Sequence, residues 1–359
     1  MKITGYQHRS VSIPVKYPVV SSVRESKEID FVLLDILTDE GIKGISYAQG
    51  FYLNGSRAIQ SCLDLIMPQL VGENPIHIEK IWHQMWQWIK LLGRQGLAAF
   101  ALSMVDIALW DILGKSLNQP IYKLLGGNRA SLEAYASDAL WLVPPNEAVV
   151  QAEELVDQGF STLKMRFGRK DPNEDITAIK KNRKAIGSGV EIVCDVNQGW
   201  TIDKTISMCK QLEDFKLSWL EEPIDAEDAE GYSELMRRIS IPIATGENLY
   251  SIQAFHHFLR SGSATVYTPD LQRIGGITGW KIIARLLESY NVSFSSHLFP
   301  EISAHLLAAA NKSQKLEWMT WSSALFTEPL ECKNGVIKIF DKPGLGMSWE
   351  ENVIKKYSI

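Results

Sequence analysis

Between Phe160 and Trp318 an ionisable side chain recurs at or near the end of one short apolar run after another. The runs close on Lys164 and Arg166, then Asp195, Glu221, Glu247, Asp270, His297 and Glu317. Asp195 to Glu221 and Glu221 to Glu247 are each 26 residues apart. A lone acid at a strand-to-helix junction usually caps the helix, but three at equal spacing point elsewhere. Converging on one point, they repel one another unless a cation neutralises them, and an all-oxygen set suits Mg²⁺. Asp270 and His297 fall on the next two runs. Side by side, the carboxylate fixes the imidazole tautomer and raises its basicity, which makes a general base or acid. Lys164 and Arg166 alternate on one strand and share a face, a clamp for a substrate carboxylate. Glu317 lies across from the metal ligands, where a carboxyl kept protonated would donate to a developing enediolate.

A βα unit takes roughly 30 residues, so the beat of these runs is that of a parallel barrel with its functional groups at the strands' C-terminal ends. From Leu132 to about residue 320, short strands alternate with helices. Before them, residues 2–12, 29–37 and 43–49 read as an antiparallel meander. Residues 17–26, polar and broken by Pro18, read as a loop, and residues 50–56 as a second. Apolar positions at helical spacing follow through 57–70, 77–91 and 95–115. Trp82, Trp86 and Trp88 in the second of these helices read as packing residues. Gly126-Gly127-Asn128 marks a boundary. The expected organisation is therefore an α+β capping domain over 1–127, a barrel over 128–322, and a segment over 323–359 that returns toward the cap. Gly335–Phe340 reads as a strand, and Pro343-Gly344-Leu345-Gly346 as a turn into a short tail.

Net charge −5 gives no field for nucleic acid or an anionic membrane, so an anionic substrate must be held by local cations. Cys62, Cys194, Cys209 and Cys332 are scattered without CxxC pairing and read as reduced thiols of a cytoplasmic protein. The first residues lack the apolar stretch of a secretory signal. Gly275-Gly276-Ile277-Thr278-Gly279 lacks the lysine of a nucleotide loop and reads as a strand-to-helix turn. His305, eight residues past His297, reads as structural.

Several stretches carry a resemblance: Val105-Asp106-Ile107-Ala108-Leu109-Trp110-Asp111, Trp219-Leu220-Glu221-Glu222-Pro223, Arg273-Ile274-Gly275-Gly276, and Ser295-Ser296-His297-Leu298-Phe299-Pro300-Glu301 through Leu306. With them the chain resembles the enolase superfamily, in particular its mandelate racemase subgroup, over essentially its whole length. The resemblance implies an α/β fold, a modified (β/α)7β TIM barrel with an α+β N-terminal cap. It implies one Mg²⁺ on Asp195, Glu221 and Glu247, a His297–Asp270 dyad, Glu317 as electrophilic partner, and Asn197 against the bound substrate. The two cap loops become lid segments, with Arg24 and Tyr52 offering hydrogen bonds to a polyol chain. A homo-oligomer is also implied. One departure matters: racemases of the subgroup carry Lys-x-Lys, and here the second position is Arg166, which cannot readily act as a base. The expectation is dehydration of a sugar acid or related α-hydroxy acid to a 2-keto acid through one base, His297. Racemisation with Lys164 as the opposite base is the alternative, and a non-catalytic binding protein on the same fold a remote one. Which acid is taken depends on lid and barrel-mouth residues such as Asp138 and Trp141.

Overall fold

The computed structural model describes residues 1–359. Strands β1 (Ile3–Val20), β2 (Glu25–Thr38) and β3 (Lys43–Gln49) form an antiparallel sheet in the order β1-β2-β3. Helices α1 (Leu53–Ile66), α2 (Ile78–Trp88) and α3 (Leu97–Ser116) follow, then the single turn α4 (Ile121–Leu124). Helix α3 is long and apolar enough to cross a membrane by composition alone. It is instead the core helix of the cap: sixteen of its twenty residues are buried. The sheet lies close on it, and Gly44 is there because a Cβ would sit 2.2 Å from the Ala108 carbonyl oxygen.

Eight parallel strands come next: β4 (Ser131–Ala136), β5 (Thr162–Arg166), β6 (Glu191–Asp195), β7 (Trp219–Glu221), β8 (Ile243–Thr245), β9 (Val266–Tyr267), β10 (Ser293–Phe294) and β11 (Leu316–Trp318). Each pairs with the next from β4 to β10, and β11 pairs in parallel with β4. Seven helices connect them: α5 (Pro145–Asp157), α6 (Pro172–Ile186), α7 (Ile202–Leu212), α8 (Ala229–Arg238), α9 (Ile252–Ser261), α10 (Gly276–Ser289) and α11 (Pro300–Ala309). Eight strands and seven helices are the (β/α)7β arrangement. Inside the barrel Tyr135, Val193, Trp219, Ala244 and Val266 pack as their own cluster, with the Tyr135 and Trp219 rings edge to face at 5.6 Å. This plug closes the barrel beneath the strand ends and leaves chemistry to the rim. A hairpin of β12 (Cys332–Lys333) and β13 (Val336–Lys338) adds antiparallel to β4. The last helix, α12 (Glu351–Lys356), lies in what reads from sequence as a plain tail; Ser358 then bridges Val11 of β1.

The sequence reading of both lid loops is corrected. Residues 17–20 and 25–26 belong to β1 and β2, with Val19 opposite Ser26 and Val20 opposite Glu25. The turn at 21–24 is closed by the Ser21 N–H donating to the Arg24 carbonyl at 2.8 Å. Pro18 breaks nothing because it falls in the register shift between Pro14 and Val19, where no ladder donor is needed. The second loop shrinks to 50–52, since α1 starts at Leu53.

Candidate active site

Strand register puts the functional side chains at one level. Arg166 is opposite Asp195, and Asp195 is opposite Glu221. Glu247 lies just beyond the end of β8, and one oxygen from each of Asp195, Glu221 and Glu247 falls within 4.8 Å of the others. Three buried carboxylates in that space fit a hard divalent cation, and Glu247 Oε2 is buried without a hydrogen-bond partner. Two of the ligands are also held by a residue two positions away. The Asn197 N–H and Nδ2 donate to Asp195 at 2.8 and 3.2 Å, and the Trp219 indole donates to Glu221 Oε2 at 2.9 Å.

Lys164 lies among the acids, its Nζ 2.7 Å from Glu221, 3.0 Å from Asp195 and 3.2 Å from Glu317. Burial opposes its charge, but the pull of Asp195, Glu221 and Glu317 wins and holds it well above the usual lysine value. Glu221 is pushed up to about 8, by burial first and by Asp195, Glu247 and Glu317 next, against the pull of Lys164. Without a cation, burial and the neighbouring acids therefore favour the protonated form of Glu221. Asp195 is burdened by burial yet drawn below the usual range by Lys164 and Arg166.

Glu317 departs from the sequence reading. Despite burial, Lys164 and His297 draw it down to about 2, and the Leu298 N–H and the Ser137 hydroxyl donate to its two oxygens at 2.8 Å each. Every neighbour offers a proton, so the carboxyl is ionised and accepts. In this arrangement it is a counter-charge to Lys164.

Opposite, His297 Nδ1 meets Asp270 Oδ2 at 2.6 Å, and its Nε2 faces Glu247 at 3.5 Å. Burial disfavours the imidazolium, but Glu247 and Asp270 raise His297 to about 9. Asp270 is fixed from behind by the Gln272 and Arg273 N–H groups at 2.9 and 3.0 Å, and by the Arg273 guanidinium at 3.1 Å. Arg166 stacks on Trp141, 4.2 Å from the ring centre, and donates to the Ser137 hydroxyl at 3.1 Å. Its Nε and one Nη stay buried without hydrogen-bond partners, facing the acids.

These groups line a cavity of about 240 Å³ whose roof is the β1–β2 turn, with Val23, Arg24 and Tyr52 in its wall. The Arg24 guanidinium stands over the Tyr52 ring. The turn rests on the barrel through Ser22, whose hydroxyl lies 3.1 Å from the Val196 and Asn197 carbonyl oxygens. Of the residues expected at the mouth, Trp141 lines the cavity, whereas Asp138 is turned away and bound to Thr320. His305 is structural: buried, it accepts from the Tyr122 N–H and reaches the Leu345 carbonyl. Sequence reasoning missed Arg273, although its spacing of three from Asp270 in a turn was a usable signal. It also missed Ser137, the first residue past β4, and Glu222, buried in the same wall with Asn248 donating to it at 2.7 Å.

Two family models match the chain, that of the mandelate racemase / muconate lactonizing enzyme N-terminal domain over residues 3–126 and that of the enolase C-terminal domain-like fold over residues 147–353. The chain belongs to the mandelate racemase family of the enolase superfamily. Among relatives in this family, a 3,6-anhydro-alpha-L-galactonate cycloisomerase of Streptomyces coelicolor is 33% identical over 89% of this chain and 89% of its own length. An L-talarate/galactarate dehydratase of Salmonella typhimurium is 32% identical over 90% of this chain and 81% of its own. The crystal structure of an L-talarate dehydratase from Polaromonas sp. JS666, complexed with Mg and L-glucarate, superposes with a TM-score of 0.90 at 31% identity, covering 100% of this chain and 97% of that one. The family's fold, a cap on a (β/α)7β barrel, is the one observed.

Proposed function

We propose that this protein is a Mg²⁺-dependent acid-sugar dehydratase, which removes the proton α to a carboxylate and expels the β-hydroxyl to give a 2-keto acid. The observation that carries the reading is a metal-competent carboxylate trio facing a His–Asp pair, with an arginine where a second lysine base would stand. The names of the related dehydratases support it. Asp195, Glu221 and Glu247 would hold the ion. Bound there, Mg²⁺ supplies Lewis-acid stabilisation of the charge that develops on the substrate carboxylate.

The remaining work falls to the side chains. Asp270 accepts from His297 Nδ1–H, and in the neutral ring, favoured once a cation on the trio would offset the Glu247 charge that raises His297, the Nε2 lone pair faces the cavity to take the α-proton. The imidazolium is then stabilised by the same carboxylate and returns its proton to the leaving hydroxyl on that face. Lys164, cationic at neutral pH, and Arg166, held flat by Trp141, offset the substrate's negative charge; Glu317 keeps Lys164 in place. Asn197, Arg24 and Tyr52 contact the rest of the acid. Racemisation finds less support, because Arg166 stands where a second lysine base would and does not deprotonate. A non-catalytic role finds little, since each position of the trio and pair holds a competent residue.

We place the protein in the cytoplasm, on its four free cysteines, and as a homo-oligomer, on Leu91 and Leu92 standing exposed just beyond the tryptophan-bearing helix α2. The test is a screen with Mg²⁺ against mono- and diacid sugars, reading 2-keto acid, with His297→Asn in parallel. Turnover abolished by that substitution is expected. Exchange of solvent deuterium into recovered substrate with inversion, and no keto acid, would overturn the reading.

A further inference from the structure

The residue after the base is strained. Leu298 and Phe299 both carry positive φ, 53° and 49°, and neither is a glycine. Two successive left-handed residues of this kind persist only when their surroundings over-determine them. From the barrel side, the Leu298 N–H is taken by Glu317. From the cap side there is a second set of contacts that the proposed chemistry does not use. The Phe299 ring packs on the Tyr47 ring of β3 at 5.2 Å. The Tyr47 hydroxyl donates to Glu301 Oε2 at 2.5 Å, in the first turn of α11 two residues past Phe299, and the Ser322 hydroxyl lies 2.9 and 3.1 Å from the two Glu301 oxygens.

Tyr47, Glu301 and Ser322 are all buried, and no lysine, arginine or histidine pairs with Glu301. Burial pushes the Glu301 carboxyl up, and burial together with the Glu301 charge pushes the Tyr47 phenol well up. An acid placed in such a pocket costs stability unless its hydrogen bonds hold something worth holding. What it holds is one side chain away from the cavity: Leu298, Met319 and Trp321 line the active-site cavity and also a small void against Tyr47 and Ser322.

We propose that Tyr47, Glu301 and Ser322 form a latch between the cap sheet and the barrel that fixes the strained turn behind His297, making Glu301 and Tyr47 positioning residues for the base. The inference rests on His297 being that base. Through the latch, the cap governs catalysis as well as fit, since a cap residue sets the aim of a barrel imidazole without touching substrate.

The test compares Glu301→Leu, Glu301→Gln and Tyr47→Phe in the full chain with Mg²⁺, measuring kcat and KM for the acid found by the screen. Glu301→Leu and Tyr47→Phe are expected to lower kcat by about ten- to a hundredfold, with KM within about threefold, because a misaimed base costs rate and not binding. Glu301→Gln keeps an oxygen for the Tyr47 hydroxyl and is expected to recover most of kcat. A merely structural role would lower the melting temperature while leaving kcat per folded molecule untouched. Should Glu301→Leu fail to fold, Tyr47→Phe carries the same comparison, since it removes one hydroxyl and no packing volume. Wild-type kcat in the folded variants, while His297→Asn is inactive, overturns the latch. Full activity in His297→Asn overturns instead the assignment of the base.

Discussion

Replacing Asp270 with asparagine isolates what the His–Asp pair contributes. In the structure one Asp270 oxygen accepts two backbone N–H groups, at 2.9 and 3.0 Å, and the other faces His297 Nδ1 at 2.6 Å and the Arg273 guanidinium at 3.1 Å. Asparagine has one oxygen to offer. Kept on the backbone groups, it turns its NH₂ toward Nδ1 and toward Arg273, a donor against a donor. The ring proton then moves to Nε2, the atom that must accept the substrate's proton. A hydrogen bond to a charged group is worth about 1.5–3 kcal/mol, or roughly ten- to a hundredfold in rate. The wrong tautomer adds to this, and a general base as a whole supplies about 10²–10⁴. The expected loss in kcat is therefore about a thousandfold, with KM nearly unchanged. Initial rates of keto acid release would be scored per folded molecule, because Arg273 loses a buried partner and stability falls as well. Wash-in of solvent deuterium at the α-carbon reads the same step independently. A kcat within threefold of wild type in folded protein would refute the role given to the pair.

Four further outcomes are expected. Glu221 must lose its proton to bind Mg²⁺, so between pH 6 and about 8 apparent affinity should rise roughly tenfold per unit and then level, with protons released in calorimetry; a flat profile would contradict this. In metal-free protein, Glu221 raised to about 8 and His297 raised to about 9 both carry stability that is full at low pH and lost as pH rises through those values, so the melting temperature should fall from pH 6.5 to 9 and Mg²⁺ should restore it. Gly44→Ala would drive a methyl into the Ala108 carbonyl and is expected to cost about 1–3 kcal/mol in denaturant melts, with the mature site otherwise intact. Arg166→Lys removes the stack on Trp141 and places an amine that can deprotonate opposite His297. Dehydration should drop about tenfold, and isotope exchange with inversion should appear in recovered substrate.

The trio and the pair were legible because a strand plus a helix spans a nearly constant number of residues, so Asp195, Glu221 and Glu247 announce themselves by interval. Thr162–Arg166 was legible for the same reason. Glu317 was placed correctly on its strand, but its charge state was not readable: Ser137 comes from β4 and the Leu298 N–H from the turn after β10, and only their meeting decides it. The lid was misread because proline and serine near a turn weigh heavily in local propensity, while the β2 partner that pairs Val19 and Val20 does not. Tyr47 carried no interval or motif, and Glu301, though inside the stretch that carries the resemblance, had nothing there to give it a role. Their pairing spans cap and barrel, and no local pattern encodes such a distance.

The β1–β2 roof of the cavity, being paired strand down to a four-residue tip, should move as a stiff flap hinged at the bulge near Pro18. Its polar hold on the barrel is a handful of contacts: the Ser22 hydroxyl, one backbone bond from the Leu142 N–H to the Val20 carbonyl, and, near the hinge, Lys16 and the Tyr17 hydroxyl on Glu154 of α5. Bonds of that kind are worth about 1 kcal/mol each, so opening belongs to the microsecond-to-millisecond range in which lids commonly limit turnover. Evolution inherits a separable part: the tip residues Ser21 to Arg24 can be exchanged to suit a different acid, while the ladder beneath keeps its register and the reaction centre is left alone.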